Sequence, residues 1–375
     1  MRIGIDGGCW SNRRGFGRVL REQLAALLQL DSSITYLLFL DAPADIPSFP
    51  NLTATIVRTS QTVKEAATSD GRRSASDLLH MGRAVSAEQL DLFFYPAVYS
   101  WFPLHRRIPN IVGIHDTIAD RNPHLAFSTP MQELFWNLKV KGALWQADHI
   151  ITVSNYSAHQ ISSFFEEPAS GISVVPNAVS PFFHPVAVDN GQPYILYAGG
   201  ISPNKNLPVL IEAFSHLNTK LKLILAGDYK GDGFKGCYTS LVQQIERLNL
   251  KHRIEFTGFI TDERLRELYS GAAVFAMPSL DEGFGLPALE AMACGAPVVV
   301  SSGNGLAEVV GHAGLICPPM DIQSWVSALR QALSDPSLKS KSLKRAAEFS
   351  WQHSAQVLLQ VFLKLNQNSQ QSRLP

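Results

Sequence analysis

Short apolar runs of strand length alternate with longer segments of helical periodicity along almost the whole chain. This alternation is the pattern of a parallel sheet covered by helices, and it occurs in two successive series. The first series predicts strands at residues 3–6, 34–40, 54–58, 92–95, 111–115, 150–153 and 172–175. The second predicts strands at residues 194–197, 221–226, 254–256, 274–277, 298–300 and 315–316. The sequence therefore predicts an α/β protein with two parallel sheets.

The length of 375 residues also favours two domains, because a single hydrophobic core seldom supports so long a chain. Residues 176–193 are rich in Pro, Asn and Gly without a sustained period, which predicts a hinge. We place the N-terminal domain at residues 1–185 and the C-terminal domain at residues 186–350. An amphipathic helix at about residues 351–367 is predicted to return to the first domain. Residues 60–84, rich in Ser, Thr, Gly and charge, are interpreted as a long loop.

The charge balance excludes a global field that would recruit nucleic acid or anionic lipid, since 32 basic side chains face 32 acidic ones. Two short basic clusters, at residues 13–21 and 105–107, are interpreted as solvated faces, with phosphate or membrane contact as an open alternative. The sequence also contains neither a signal-peptide core nor an apolar stretch long enough to span a bilayer. We therefore expect a cytoplasmic protein, with peripheral contact at the inner membrane face left open.

The four cysteines, Cys9, Cys237, Cys294 and Cys317, are widely scattered. None lies at the spacing of a metal site or of a C-x-x-C pair, which fits a reducing compartment.

The most informative segment spans residues 278–297, where a glycine loop links a predicted strand to a helix and the next strand. Pro287 suits the first turn of the helix, and Gly295 suits its end. Gly283 and Gly285 would let a ligand approach bare backbone at the positive end of the helix dipole, which favours an anion.

Two carboxylates flank the start of this helix. Glu282 lies in the loop, and Glu290 lies about one turn inside the helix. Because carboxylates accept hydrogen bonds from vicinal hydroxyls, the pair suits a sugar or ribose held beside a diphosphate.

Residues 282–290 resemble the E-x7-E signature of glycosyltransferase family 4, a retaining family with the GT-B fold. Other motifs agree with this family in order and spacing over nearly the whole chain. They are Gly15-Phe16-Gly17-Arg18, His115-Asp116, Val153-Ser154-Asn155 with Ser157, Val175-Pro176-Asn177-Ala178, residues 198–206 and Phe256-Thr257-Gly258. The resemblance implies two Rossmann-like domains whose parallel sheets face each other across a cleft, an N-terminal acceptor domain and a C-terminal nucleotide-sugar donor domain.

The resemblance also implies roles for individual residues. Glu290 would bind the nucleotide ribose, and Glu282 would hold the donor sugar together with the backbone at Gly283, Phe284, Gly285 and Leu286. Lys205 would neutralise the diphosphate opposite the loop with Gly15 and Gly17, and Gly200 would adjoin the donor. His115 would lie near the reacting centre. Thr257 and Gly258, within residues 256–259, would line the base pocket. The predicted catalytic residues are His115, Glu282 and Lys205.

Physical chemistry supports several of these roles separately. Loss of a nucleoside diphosphate develops negative charge, which a cation and oriented N–H groups would stabilise. Lys205 follows a predicted strand and precedes a helix, where a phosphate would lie. His115 ends an apolar strand at the carboxyl edge, where open parallel sheets bind ligands. Asp116 is expected to cap or orient the backbone.

One position departs from the family pattern, since the family often has an arginine where this chain has Gly200. Either Lys205 acts alone, or Arg13, Arg14 or Arg18 supplies a second cation. The sequence lacks a D-x-D pair, so we expect neither a metal nor another cofactor. The expected partners are a nucleotide diphosphate sugar, such as GDP-mannose or a UDP-sugar, and a glycan or lipid-linked acceptor, without nucleic acid.

Three alternatives stay open at the level of the sequence. A non-catalytic sugar or nucleotide binder of the same fold would explain Gly200. Phosphorolysis or nucleotide-sugar epimerisation would use the same fold. An NAD-dependent oxidoreductase is disfavoured, because Gly15 is far from the first predicted strand and Leu20 stands where a third glycine belongs.

Overall fold

A computed structural model describes residues 1–12, 15–63, 74–105, 107–188, 191–217, 220–229 and 235–371. The chain divides into two compact units. Unit 1 comprises Met1–Asn177 together with the C-terminal segment that starts at Trp351, and unit 2 comprises Ala178–Ser350. This division lies eight residues before the domain boundary that we placed after residue 185. In the described part of residues 178–193 the chain forms neither helix nor strand.

Unit 1 contains a seven-stranded parallel sheet in the order β3-β2-β1-β4-β5-β6-β7. Its strands are β1 (Arg2–Asp6), β2 (Thr35–Leu40), β3 (Leu52–Ile56), β4 (Leu92–Tyr95), β5 (Asn110–Gly113), β6 (His149–Thr152) and β7 (Ile172–Val174). Ile3 in the interior strand β1 pairs with Tyr36 of β2 on one side and with Leu92 of β4 on the other. β1, β2 and β4 are almost wholly buried, which explains why they consist of continuous apolar runs.

The helices of unit 1 flank this sheet. They are α1 (Phe16–Leu30), α2 (Ala75–Ala87), α3 (Ile118–Arg121), α4 (Pro123–Ala126), α5 (Pro130–Gln146), α6 (Asn155–Phe165) and, after unit 2, α14 (Trp351–Gln371). α14 packs against α1, where the Gln23 amide donates to the Ser354 hydroxyl at 3.2 Å. Phe362 of α14 also meets Phe94 of β4 with ring centroids 5.5 Å apart. The last helix of the chain is thus part of the first unit's core.

The loop predicted at residues 60–84 is partly wrong, because α2 begins at Ala75. The hydroxyl of Ser74 caps this helix by accepting from the Asp77 N–H at 3.1 Å. Met81 and Val85, one turn apart, are fully buried, and Asp77 binds both the N–H and the hydroxyl of Ser60. Interspersed Ser, His and Gly conceal the helical period in the sequence. Residues 64–73 lie outside the described residues.

Unit 2 contains a six-stranded parallel sheet in the order β10-β9-β8-β11-β12-β13. Its strands are β8 (Tyr194–Ala198), β9 (Lys222–Ala226), β10 (Ile254–Gly258), β11 (Val274–Met277), β12 (Val298–Ser301) and β13 (Leu315–Cys317). Its helices are α7 (Leu207–Ser215), α8 (Lys235–Arg247), α9 (Asp262–Gly271), α10 (Leu286–Ala293), α11 (Gly305–Val310), α12 (Ile322–Ser334) and α13 (Ser337–Ala346). The buried core on one face includes Tyr197, Phe214 and Trp325.

Both sheets share one strand order, and every predicted strand is present with ends within two residues of the prediction. Strand order reverses between β1 and β4 in unit 1 and between β8 and β11 in unit 2. In open parallel sheets, ligands bind beside such a reversal at the carboxyl ends of the strands. The loops that follow β8 and β11 are therefore the first place to look for a site in unit 2.

Candidate active site

The loop after β11 leads directly into α10, as the sequence predicts. Gly285 caps the helix with φ of 99°, a conformation that side chains with a Cβ rarely adopt, and Pro287 lies in the first turn. A Cβ on Gly285 would also approach Leu306 Cδ2 to 2.2 Å. Gly295 follows the end of the helix with φ of 84°. Glycine at position 285 therefore lets the chain turn into α10 close to Leu306, which places the helix N-terminus at the carboxyl edge of the sheet.

Lys205 and Glu282 meet at this edge. The Lys205 Nζ atom donates to Glu282 Oε1 at 2.5 Å, and the two side chains are only 19% and 13% exposed. Lys205 ends a short 3₁₀ helix, Pro203–Lys205, in the loop after β8, and Glu282 lies in the loop after β11. The ion pair thus connects the two loops at the strand-order reversal. The sequence assigned roles to both residues but did not predict that they bind each other.

Asn206 holds the two loops together. Its backbone is left-handed, with φ of 54°, and its buried side-chain amide donates to the carbonyls of Pro278 at 3.1 Å and Pro319 at 2.7 Å. The Leu280 N–H donates to the Asn204 carbonyl at 2.8 Å. These bonds fix the loop ends from which Lys205 and Glu282 extend.

Glu282 has further partners within unit 2 that sequence reasoning missed. The Ser279 hydroxyl donates to Glu282 Oε1 at 2.8 Å, and the Gly305 N–H donates to the Glu282 carbonyl at 2.8 Å. Asn304 caps α11 and also donates from its amide to the Ser279 carbonyl at 3.1 Å. The Glu282 carboxylate is consequently held in place before any ligand arrives.

Glu290 lies on α10 and is buried. The hydroxyl of Tyr269, on α9, donates to Glu290 Oε2 at 3.1 Å. The Tyr269 ring is itself fully buried, with centroids 5.9 Å from Phe183 and 5.7 Å from Phe275. A buried carboxylate that accepts from a packed phenol is positioned with little freedom. Nothing in the sequence around Tyr269 indicates this contact.

The backbone beside Gly200 is held by a buried tyrosine. The Tyr197 hydroxyl donates to the Gly200 carbonyl at 2.7 Å, and burial raises the pKa of Tyr197 far above its ordinary value. Tyr197 therefore remains a neutral donor at physiological pH. Gly200 itself brings no cation to this edge, in contrast to the arginine that the family often has.

The residues expected to line a base pocket lie at the end of β10. Phe256 meets the rings of Tyr229 and Tyr238 at 5.6 and 5.1 Å, and these two tyrosines stack at 4.6 Å. Gly258 has φ of 70°, and the Thr257 hydroxyl donates to its carbonyl at 2.9 Å. The exposed Phe259 side chain follows directly. Tyr229 and Tyr238 are aromatic neighbours that sequence reasoning missed.

His115 lies in unit 1, just after β5. Its Nε2 atom is 2.9 Å from the Pro96 carbonyl, which can only accept, so Nε2 carries the proton of the neutral ring. Burial lowers the pKa of His115, and the Phe16 ring meets the imidazole edge-on at 4.7 Å. The Ser157 hydroxyl donates to the His115 carbonyl at 2.9 Å. The imidazole is thus neutral and fixed.

The glycine loop before α1 lies in the same unit as His115. Gly15 caps α1 with φ of 57°, and a Cβ on Gly17 would approach the Asn12 carbonyl oxygen to 2.1 Å, so each position needs glycine. Arg13 and Arg14, offered as second cations, lie outside the described residues. Asp116 accepts from the Ile118 N–H at 3.0 Å, which confirms its backbone-orienting role.

The site residues therefore fall into two sets. Gly15, Gly17 and His115 belong to unit 1, and the remaining site residues belong to unit 2.

Within the described residues, no group of three or more His, Cys, Asp or Glu side chains could hold a metal ion. Over the same part of the chain, no helix combines the length and apolarity needed to cross a bilayer. All four cysteines are free thiols.

Comparison with known proteins agrees with this arrangement. Residues 181–349 match the family model described as Glycosyl transferases group 1, and residues 13–181 match the model Glycosyltransferase Family 4. The O-antigen chain mannosyltransferase B of Escherichia coli is 35% identical over 231 residues, which cover 56% of this chain and 59% of that protein. The chain therefore matches about three fifths of that relative's length.

Two solved structures share the fold over nearly their whole length. Sucrose-phosphate synthase from Thermosynechococcus elongatus superposes with a TM-score of 0.77 at 20% identity, covering 97% of this chain and 99% of that one. HepE of Anabaena in complex with UDP-glucose gives a TM-score of 0.73 at 20% identity, covering 96% and 99%. With two Rossmann-like units of the GT-B fold and family matches across residues 13–349, the chain belongs to the group 1 glycosyltransferases of family 4.

Proposed function

We propose that this protein transfers a sugar from a nucleotide diphosphate sugar to a glycan or lipid-linked acceptor in polysaccharide biosynthesis. The observation that carries the proposal is the Lys205–Glu282 pair beside the N-terminus of α10, with the buried Glu290 on the same helix. A cation, a helix N-terminus and two carboxylates suit the diphosphate, the sugar and the ribose of such a donor.

The diphosphate would bind where Lys205 and the first N–H groups of α10 converge. Helix N-termini attract anions through their unpaired N–H groups and the positive end of the dipole. In the structure Lys205 is paired with Glu282. A donor phosphate would compete for that ammonium, so donor binding is expected to loosen the pair and to free Glu282 for the sugar hydroxyls.

Glu290 would take the ribose hydroxyls, as the family resemblance implies, and the hydrogen bond from the Tyr269 hydroxyl helps to hold its carboxylate in place. The aromatic residues around Phe256 would stack with the base. In this proposal unit 2 is the donor unit and unit 1 the acceptor unit, and the neutral His115 of unit 1 would lie near the sugar.

The donor proposed first is GDP-mannose, because the E. coli relative is named as a mannosyltransferase. A UDP-sugar is the second candidate, since HepE was solved with UDP-glucose. The proposal includes a cytoplasmic location with peripheral contact at the inner membrane face, where a lipid-linked acceptor would lie.

We further propose that transfer retains the anomeric configuration through attack on the same face as the departing diphosphate. A double inversion would require a free carboxylate nucleophile behind the anomeric carbon. Glu282 Oε1 accepts from the Ser279 hydroxyl, and in the donor complex the carboxylate would also accept from the sugar hydroxyls, which together lower its nucleophilicity. The leaving phosphate oxygen would instead take the acceptor's proton, while Lys205 and α10 stabilise the charge.

Release of nucleoside diphosphate from GDP-mannose and from UDP-glucose, with and without EDTA, tests this function. We expect turnover with one donor that survives EDTA, and a loss of about 100-fold or more in Lys205→Ala. Lys251→Ala, at an exposed lysine of the same unit, is the matched control and should retain full activity. A strict need for a divalent metal would contradict the proposed site.

One further function is a candidate because Gly200 stands where the family often has an arginine. Without that second cation beside Lys205, the protein could bind a nucleotide or sugar without catalysing transfer. The same experiment separates the two. Tight binding of a nucleoside diphosphate without release from either donor, and with no transfer to added glycans, would support the binder and refute the transferase.

A further inference from the structure

Helix α9 contacts the segment through which the chain enters unit 2, residues 182–186, which we call the entry segment. The Arg266 Nη1 atom donates to the Phe182 carbonyl at 3.2 Å. The same atom lies 3.3 Å from His184 Nε2, which accepts because arginine only donates. The Arg266 guanidinium also lies over the Phe182 ring, with its carbon 4.3 Å from the ring centroid. One arginine thus holds two residues of the entry segment.

Tyr269 and Ser270 extend this contact by one turn of α9. The Tyr269 ring meets the Phe183 ring edge-on, with centroids 5.9 Å apart. The Ser270 hydroxyl accepts from the Val186 N–H at 3.2 Å. Residues three and four positions after Arg266 lie on the same face of the helix. One face of α9 therefore binds the entry segment from its first residue to its last.

The same side chains of α9 also reach α10 and the residue that follows it. The Tyr269 hydroxyl donates to Glu290 Oε2 at 3.1 Å. The Ser270 hydroxyl forms a hydrogen bond with the thiol of Cys294, one turn after Glu290. Burial raises the pKa of Cys294 to about 12, and the charges of both Glu290 and Arg266 act on this thiol. The entry segment and the proposed ribose carboxylate are therefore connected through one helix.

Arg266 is not the side chain that stability alone would favour at this position. Its Nε atom is buried and has no hydrogen-bond acceptor within the part of the chain that the structure describes. A buried donor without an acceptor destabilises a fold. A methionine would avoid this cost and still cover the Phe182 ring. What distinguishes the arginine is the pair of Nη1 contacts through which it fixes the entry segment.

We propose that Arg266 is a positioning residue for Glu290, an inference that rests on the ribose-binding role proposed above for that carboxylate. By fixing the entry segment on α9, Arg266 keeps Phe183 against the Tyr269 ring. The ring, which also packs against Phe275 at 5.7 Å, in turn keeps its hydroxyl at Glu290 Oε2. Release of the entry segment would loosen the carboxylate before any donor binds.

Thiol labelling tests this contact without any nucleotide. Cys294 and Cys317 are both buried free thiols of unit 2, and the Cys317 thiol donates to the Ser324 carbonyl at 3.6 Å. N-ethylmaleimide should label Cys294 about fivefold faster in Arg266→Met than in the wild type, the factor expected when about one hydrogen bond is lost and the α9–α10 contact opens more often. Cys317, read from its own peptide by mass spectrometry, should keep the wild-type rate.

Two results of the labelling would overturn the proposal. An unchanged rate at Cys294 would show that Arg266 does not hold the contact between α9 and α10. Equal acceleration of Cys294 and Cys317 would show that Arg266 only stabilises unit 2 as a whole. Arg266→Lys, which can keep one of the two Nη1 contacts, should give an intermediate rate at Cys294 and serves as a second variant.

Calorimetry with GDP and UDP tests the consequence for the ribose site. Arg266→Met should weaken binding of the nucleotide that the wild type prefers by about fivefold, and it should raise the donor KM with little change in kcat. In a Tyr269→Phe background the same substitution should have little further effect, because both changes act through one phenol. The matched control is Arg264→Met, at a side chain of α9 that is 59% exposed, and it should bind nucleotide as the wild type does.

The two experiments separate this inference from the proposed function. Effects of Arg266→Met and Tyr269→Phe that simply add would refute the route through the phenol, even where the nucleotide binds well. Failure of the wild type to bind GDP or UDP would refute the proposed donor site. Faster labelling of Cys294 alone would then still support the positioning of Glu290 by Arg266.

Discussion

Replacing Lys205 by Met and Glu282 by Gln, singly and together, should reveal a stabilising coupling between the two loops of unit 2. The charged atoms lie 2.5 Å apart, and neither side chain is more than one-fifth exposed. At an effective dielectric constant of about 20 their attraction is roughly 7 kcal/mol before the loss of hydration is subtracted. The loss of hydration offsets most of this attraction. We therefore expect a net coupling free energy between Lys205 and Glu282 of about 1.5–3 kcal/mol, as for other charged hydrogen bonds.

The assay is urea unfolding of the four proteins, followed by fluorescence. Trp325 is fully buried in unit 2, and every other tryptophan lies outside residues 178–350. The matched control is the same cycle on Arg264 and Glu267, an exposed pair 2.7 Å apart on α9, where about 0.5 kcal/mol or less is expected. If the coupling at Lys205–Glu282 is no larger than that at the exposed pair, the reasoning about this site is wrong.

Three further outcomes follow from the remaining contacts. Glu290→Ala should weaken binding of the free nucleoside diphosphate by roughly 1.5–3 kcal/mol, whereas Glu282→Ala should mainly slow transfer. Calorimetry measures the dissociation constant of the diphosphate for each variant and for the wild type. Equal constants in all three proteins would refute this division of roles. Tyr269→Phe should raise the donor KM with little change in kcat, because it removes the phenol hydrogen bond to Glu290. An unchanged KM would show that the phenol does not position Glu290. Burial lowers the pKa of His115, so the unfolded chain binds its proton first as the pH falls. Unit 1 should therefore lose stability below about pH 6.5, by up to about 1.4 kcal/mol per pH unit, and His115→Gln should reduce this slope in unfolding measurements.

The alternation of apolar runs and helical segments predicted the strands well, most directly where a strand is buried and apolar throughout, as β4 and β11 are. The ends of such runs are also marked, since Val274 to Met277 is followed at once by Pro278, and Tyr194 to Tyr197 is followed by Ala198 and then by two glycines. α2 was missed because Ser76, His80 and Gly82 interrupt its apolar period, although Met81 and Val85 are buried.

The sequence led to proposed roles for single residues of the candidate site but did not indicate the contacts among them. Lys205 and Glu282 are 77 positions apart, so no local period could pair them. The reversal of strand order could have indicated that the two residues are close, since it brings together the loops after the first and fourth strands of a sheet with this order. Tyr269 gave no such signal, because a buried aromatic residue on a helix is indistinguishable in sequence from ordinary core.

The anomeric configuration of freshly formed product is the most direct test of the account, which rests on retaining transfer at the Lys205–Glu282 site. With an α-linked nucleotide sugar as donor, proton NMR of the initial product should show an α-linked sugar. A β-linked initial product would contradict both the same-face mechanism and the retaining assignment, whereas a glycosyl adduct trapped on Glu282 would keep retention but refute the same-face route.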